Sequence, residues 1–332
     1  MTFEDILSNL KKKIYHPIYF LMGEESYFID QIADYITNNV LTDAEKGFNQ
    51  HILYGKDTDM DTIITYARRF PMMASHQVII VREAQNIKKI EELEAYAKNP
   101  LNSTILVLSY KYKTIDKRKS FSKLIAKNGV LFESKRIYDN QLPDWIKAYL
   151  ARRNYTIAPQ ASMLLAEYLG TDLSKVSNEL EKLIISLPEN TQITADHIEK
   201  NIGISKDYNI FELQNALGQR NVLKSNQIIN YFAANQNANP FPRTISSLYQ
   251  YFMKILTYHF MEDKSQNSVA AKLGVHPFFV KEYIASAKQY PIRKVVEIIS
   301  TLREFDMKSK GVGNVSASIG DLQKEMIYKI LH

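Results

Sequence analysis

Apolar positions along the first 137 residues come in two alternating textures. Short, nearly unbroken runs occur in HPIYFLMG (16–23), NQHILYG (49–55), HQVIIV (76–81), STILVLSY (103–110) and GVLFES (129–134). Between them, EESYFIDQIADYITNNVL, DMDTIITYARRF and IKKIEELEAYAKNP repeat their apolar residues at helical spacing. Strands that are apolar on both faces, separated by amphipathic helices, belong to a parallel sheet covered on both sides. The pattern therefore predicts an α/β domain over residues 1–137. From Gln141 the texture changes. LPDWIKAYLARRNYTIAPQASMLLAEYLGTDLSKVSNELEKLIISL carries three helical patterns with no strand between them, and TQITADHIEKNIG reads as a connector whose helix is capped by Thr194. These form a small helical domain over 138–206. After Asp207 every segment has helical period, from NIFELQNALGQRN to DLQKEMIYKILH, which predicts an all-helical domain over 207–332. No internal repeat stands at a fixed spacing.

Composition agrees with a mostly helical globular chain. Hydrophobic residues make up 45% and charged residues 23% of 332 positions, while the 11 Gly and 10 Pro are too few for a turn-rich sandwich or barrel. The absence of cysteine removes disulfides, thiolate metal sites and cysteine nucleophiles together. The 7 His show no HxxxH or HxH pairing, so no metal is expected, and His51, His197 and His259 read as structural or surface residues. No run approaches the length of a membrane span, and MTFEDILSNLKKK lacks the apolar core of a signal peptide. The expectation is a cytoplasmic protein with no membrane partner. A net charge of +6 is compatible with a polyanionic neighbour without showing one.

The turn between the first strand and helix of such a domain is where a phosphate loop would sit, and here it reads MGEESYFID. Gly23 is present, but Glu24 and Glu25 stand where backbone amides and a lysine would cradle phosphates, and two carboxylates repel a triphosphate. They suit the positive end of the helix they open. The strand that should end in metal-holding acids is VIIVREAQ, with Glu83 alone preceded by Arg82. STILVLSY ends in Ser109 and Tyr110. The architecture is kept and the catalytic groups are gone, so neither catalysis nor a bound cofactor is expected.

With these pieces in order, the chain resembles the delta subunit family of the bacterial DNA polymerase III clamp loader, a degenerate branch of the AAA+ superfamily. The resemblance is carried by IYFLMGEESYFIDQ, FPMMASHQVIIVREA and ILVLSYKYKTIDKRKSFSKLI in the first domain. In the second it rests on the Trp145, Gly170, Asp172, Leu173 and Glu179-Leu180-Glu181-Lys182 pattern, and beyond that on NIFELQNALGQRN. It implies an AAA+-like domain without a working phosphate loop, a helical lid and a C-terminal collar. It also implies partners: the beta sliding clamp, which this family grips and opens, the tau/gamma motor subunits and delta prime. In the family the clamp contact is a helix tip with adjacent apolar residues before an Ala-Ser-basic-Gln sequence. Phe70, Pro71, Met72 and Met73 precede Ala74-Ser75-His76-Gln77 here, with Met-Met in place of the common Leu-Phe pair.

Two further segments carry other chemistry. Between Lys111 and Lys127 seven cations face one acid, Asp116, with Tyr110, Tyr112 and Phe121 interleaved, which suits either a solvated helix face or contact with DNA phosphates. Lys111, Lys113, Lys117, Arg118 and Lys119 are the first candidates for touching primer-template DNA. SVAAKLGVHPFFVKEYIASAKQY has the spacing of a DNA-reading helix-turn-helix, yet its second helix opens on His276, Pro277, Phe278 and Phe279, which suit packing better than base reading. A helix-turn-helix regulator and an AAA+ ATPase with an unusual phosphate loop therefore remain as alternatives.

Overall fold

The five apolar runs are the strands of one sheet in the computed structural model, which describes residues 1–314 and 316–332. They are β1 (Ile18–Gly23), β2 (Gln50–Tyr54), β3 (Gln77–Arg82), β4 (Thr104–Lys111) and β5 (Val130–Ser134), in spatial order β2-β3-β4-β1-β5 with every neighbouring pair parallel. Burial follows position in that order. The inner strands β1, β3 and β4 are buried almost throughout, whereas the edge strands β2 and β5 are half-exposed. Inner strands covered on both faces are the ones expected to be apolar throughout.

The contacts divide the chain into two compact units, Met1–Ile137 and Tyr138–His332. In the first, alternate strand residues feed two separate cores. Tyr19, Leu21, Val78 and Ile80 meet Phe3 and Ile6 of α1 (Phe3–Lys11) and Ile29, Ile32 and Ile36 of α2 (Ser26–Asn39). A short helix, α3 (Asp43–Asn49), leads into β2. Ile18, Phe20, Ile79 and Val81 face the other way. They meet Ile63 of α4 (Met60–Ala67), Tyr96 of the single-turn α5 (Glu94–Ala97) and Phe121 and Ile125 of α6 (Ser120–Asn128). The helix expected over IKKIEELEAYAKNP is thus only a 3-10 turn, Ile90–Leu93, followed by α5. Its Ile90, Leu93, Tyr96 and Ala97 still lie against the sheet at helical spacing, which is what the pattern registered.

The second unit begins with α7 (Leu142–Ala151), α8 (Pro159–Leu169), α9 (Leu173–Ser186) and α10 (Ala195–Ile202). No strand was expected here, yet Thr156–Ile157 (β6) and Gln192–Ile193 (β7) form a short parallel ladder. Two residues are too few to leave an alternating signature. Thr194 caps α10 as anticipated, and its N–H donates to Nδ1 of His197 at 3.2 Å, so that histidine completes a helix cap.

The remaining helices are α11 (Ile210–Gly218), α12 (Val222–Ala234), α13 (Phe241–His259), α14 (Gln266–Leu273), α15 (Val280–Gln289), α16 (Ile292–Ser309) and α17 (Ile319–Leu331). They enclose a core of Leu217, Ile228, Phe232, Phe252, Tyr290, Leu302, Phe305 and Met326. Glu167 on α8 accepts hydrogen bonds from Arg243 Nε at 3.3 Å and Ser247 Oγ at 3.2 Å on α13. The α14–α15 pair has helix-turn-helix spacing around Gly274, whose φ is 61°. Phe279 and Val280 at the start of its second helix are buried, with Val280 packed against Val269 and Leu273. Among the described residues no helix is long and apolar enough to cross a membrane.

Glu212 on α11 and Glu282 on α15 are half-buried, and burial raises both carboxyls above the ordinary glutamate value, with Glu212 repelling Glu282 in addition. The folded state then holds protons more tightly than the unfolded chain. Stability from these groups is full below the unfolded value and is lost as pH rises through the raised folded one. Glu282→Gln should therefore raise Tm slightly at pH 7, an advantage that disappears at pH 4 in thermal melts.

Candidate functional site

Helix α4 stops at Ala67 because buried side chains take over its last carbonyls. Ala67 O accepts from Thr104 Oγ1 at 2.9 Å and Tyr96 OH at 3.3 Å. Gln77, only 2% exposed at the start of β3, donates through Nε2 to Tyr66 O at 3.1 Å, to Arg69 O and to Thr104 Oγ1 at 2.8 Å. Residues 68–76 are consequently a loop. Phe70, Pro71, Met72 and Met73 lie in it, three to six residues beyond the last residue of α4, and not on a helix tip as anticipated. Pro71 and the fixed chain ends leave no room for another helical turn.

The side chains point into solvent. Phe70 is 76%, Met72 61% and Met73 102% exposed, so none of the three fills the core. Their backbone is held from below. Asn49, 2% exposed at the end of α3, accepts from Met72 N at 2.6 Å through Oδ1 and donates to Met72 O at 2.9 Å through Nδ2. Ala74 packs inward against the α1–α2 core. Met73 has φ of 51°, a left-handed conformation that costs a non-glycine residue about 1 kcal/mol or more. Phe48, next to Asn49 in sequence, is 68% exposed. Three large apolar side chains, Phe70, Met72 and Met73, are thus exposed within four residues of one loop.

The phosphate-loop position lies at the opposite, C-terminal end of the sheet. Its backbone is turned onto the protein itself. Gly23 N donates to Lys113 O at 3.0 Å and Glu24 N to Ser134 O at 3.0 Å, while Ser134 Oγ donates to Glu25 O at 2.7 Å. Glu25 caps α2 by accepting from Tyr27 N at 3.0 Å, which is the role anticipated for it. The neighbouring cations are bound as well. Lys111 reaches Asp30 at 2.6 Å and Arg82 reaches Asp34 at 3.1 Å, both acids one turn apart on α2. Glu83 lies at φ 52° and accepts from Asn86 Nδ2 at 3.2 Å. Two amides of this turn, Gly23 N and Glu24 N, are thus already used within the protein, and Lys111 and Arg82 are paired with acids, an arrangement that fits a nucleoside triphosphate with magnesium poorly.

The basic segment proves to be laced with acids. Lys117 pairs with Glu133, Arg118 with Asp116 at 2.9 Å and Lys119 with Glu91 at 3.8 Å, while Lys113 Nζ donates to Gln85 O at 3.4 Å. Phe121 is buried and Tyr110 half-buried, so two of the interleaved aromatics serve the core, while Tyr112 is exposed. Lys117, Arg118 and Lys119 keep more than half of their side-chain surface in water.

Sequence reasoning assigned no role to Asn49, which holds the loop, and named Gln77 only as the last residue of the Ala-Ser-basic-Gln stretch. For Asn49 the available signal was a polar amide at the border of an apolar run, which reads equally well as an ordinary turn residue.

Comparison with known proteins bears on the whole chain. The family model described as DNA polymerase III, delta subunit, matches residues 19–135, and that described as DNA polymerase III delta subunit, C-terminal domain, matches residues 207–318. The DNA polymerase III subunit delta of Bacillus subtilis is 28% identical over 317 residues, covering 92% of this chain and 91% of that protein. Among solved structures, the Bacillus subtilis DNA clamp loader delta protein superposes with a TM-score of 0.56 at 26% identity, covering 99% of each chain.

Proposed function

Because the chain belongs to the DNA polymerase III delta subunit family, we propose that it grips the beta sliding clamp through Phe70, Pro71, Met72 and Met73 and helps to open the ring. The observation that carries this reading is the trio of exposed apolar side chains on a loop whose backbone is fixed by Asn49 and Gln77. Such a loop can enter an apolar pocket with little ordering on binding. Opening requires a further property: the subunit must hold the opened clamp interface better than the closed one, because only differential affinity shifts an equilibrium. Surface-immobilised clamp titrated with the purified chain tests the reading. Saturable binding is expected, and its absence with folded protein would remove the clamp from the proposal.

Within the loader, the helices from 207 to 332 are the proposed collar that joins the tau/gamma motor subunits and delta prime. Exposed Leu223, Val296 and Tyr328 on α12, α16 and α17 offer apolar contacts for such neighbours. A contact of Lys117, Arg118 and Lys119 with primer-template phosphates is secondary, since these cations must exchange exposed ion pairs that are worth little. Lys111 and Lys113 are tied to Asp30 and Gln85 and would contribute less. A cytoplasmic location belongs to the same proposal.

The subunit is proposed to work without hydrolysing ATP. Calorimetric titration with ATP and magnesium should give a flat isotherm, because the phosphate-loop amides already donate to Lys113 O and Ser134 O. Micromolar affinity would restore the ATPase alternative.

A further inference from the structure

The loop that carries Met72 and Met73 has no regular secondary structure, yet one buried side chain engages both polar groups of a single residue in it. Asn49 Oδ1 accepts from Met72 N at 2.6 Å, and Nδ2 donates both to Met72 O at 2.9 Å and to Glu45 O at 3.1 Å. The amide thus imitates a neighbouring strand and links the loop to the last turn of α3. On the far side of Met73 the chain is fastened again where Ala74 packs into the core and Gln77 holds Tyr66 O and Arg69 O. Met73 sits between these anchors at φ 51° with its side chain wholly in water. With its side chain in water, Met73 gains no burial from that conformation, so the anchors on either side must impose it.

We propose that Asn49 is the positioning residue of the partner-binding loop: it holds Met72 and Met73 in the conformation that a partner receives. This rests on the clamp-binding reading above. The side chain touches no partner. Its effect is to keep most of the population in the presenting conformation, since apparent affinity falls in proportion to the fraction that is competent. Without the amide, the Met72 N–H and C=O face water and the left-handed turn at Met73 loses one of its two anchors.

Two variants separate positioning from general stability. Asn49→Ala removes both hydrogen bonds, and Asn49→Asp keeps the size but sets a second oxygen against Met72 O and Glu45 O. Hydrogen exchange in the full-length protein should become faster at the backbone amides of 70–76, above all at Met72, and stay unchanged in β1 and β4. Affinity for the sliding clamp should fall about tenfold, as when the presenting conformation drops to roughly a tenth of the population. In a background that already carries Met72→Ala and Met73→Ala, the same change should have almost no further effect, because there is little left to position. Unchanged loop exchange, unchanged affinity, or an equal loss in both backgrounds would each overturn the proposal. Should one variant fail to fold, the other is read in its place. If the unaltered protein itself does not bind the clamp, the clamp-binding reading fails, an outcome distinct from normal binding that is indifferent to Asn49.

Discussion

Replacing Met72 and Met73 together by alanine is expected to weaken clamp binding by about 100-fold or more while leaving the melting temperature within about 1 °C of the parent. The first half follows from burial. Full transfer of one such side chain from water into an apolar pocket contributes about 1.5–3 kcal/mol, and each 1.4 kcal/mol is tenfold in affinity. Two side chains therefore supply at least about two decades. The second half follows from exposure in the free protein: at 61% and 102% exposed, neither side chain has core contacts to lose. Methionine suits this work because its unbranched thioether adapts to an irregular pocket. Parallel titration of the two single variants would rank the anchors. Undiminished affinity in the double variant would take both residues out of the interface, and a fall in Tm of several degrees would mean that the side chains support the fold.

The strands were legible in the sequence because a parallel sheet covered on both faces writes unbroken apolar runs, and the inner strands β1, β3 and β4 are buried nearly end to end. The helices after Asp207 were legible through their period. What escaped is local and polar. Asn49 and Gln77 act on residues 23 and up to 27 positions away, a relation that no spacing rule records. A helix tip at Phe70–Met73 was what the family resemblance implied, and DMDTIITYARRF, which keeps helical period almost to its end, gave no sign that α4 stops at Ala67. Gln77 and Thr104, distant in sequence, cap the chain at Ala67 and Arg69. Likewise the cations between Lys111 and Lys119 looked free because Asp30, Glu91 and Glu133, their acidic partners, come from other elements. The sequence pattern shows which segments are buried, whereas long-range hydrogen bonds decide where a helix stops and which charges stay available.

Gly23→Ala is expected to cost about 4 kcal/mol or more, enough to lower Tm by roughly 10 °C, without any change in nucleotide affinity. At first sight Gly23 is the one surviving residue of a phosphate loop, in which glycine lets the backbone approach a phosphate closely. The structure gives it another duty. Its φ is +125°, and a Cβ there would lie 2.0 Å from Ser134 O and 2.7 Å from Ser134 N, both backbone atoms of β5. Relief requires β1 and β5 to part at the end where Glu24 N donates to Ser134 O and Tyr112 N donates to Gly23 O at 2.8 Å. No side-chain rearrangement can provide it. A glycine retained for phosphate approach would, on substitution, lose ligand affinity and keep most of its stability. A glycine required by strand packing should do the reverse. Thermal melts of the parent and Gly23→Ala proteins, each with and without ATP and magnesium, separate the two. The expected result is a large drop in Tm that is the same in both conditions. A variant that melts within about 1 °C of the parent would show that β5 tolerates the extra carbon and that the close approach to Ser134 is not what requires glycine.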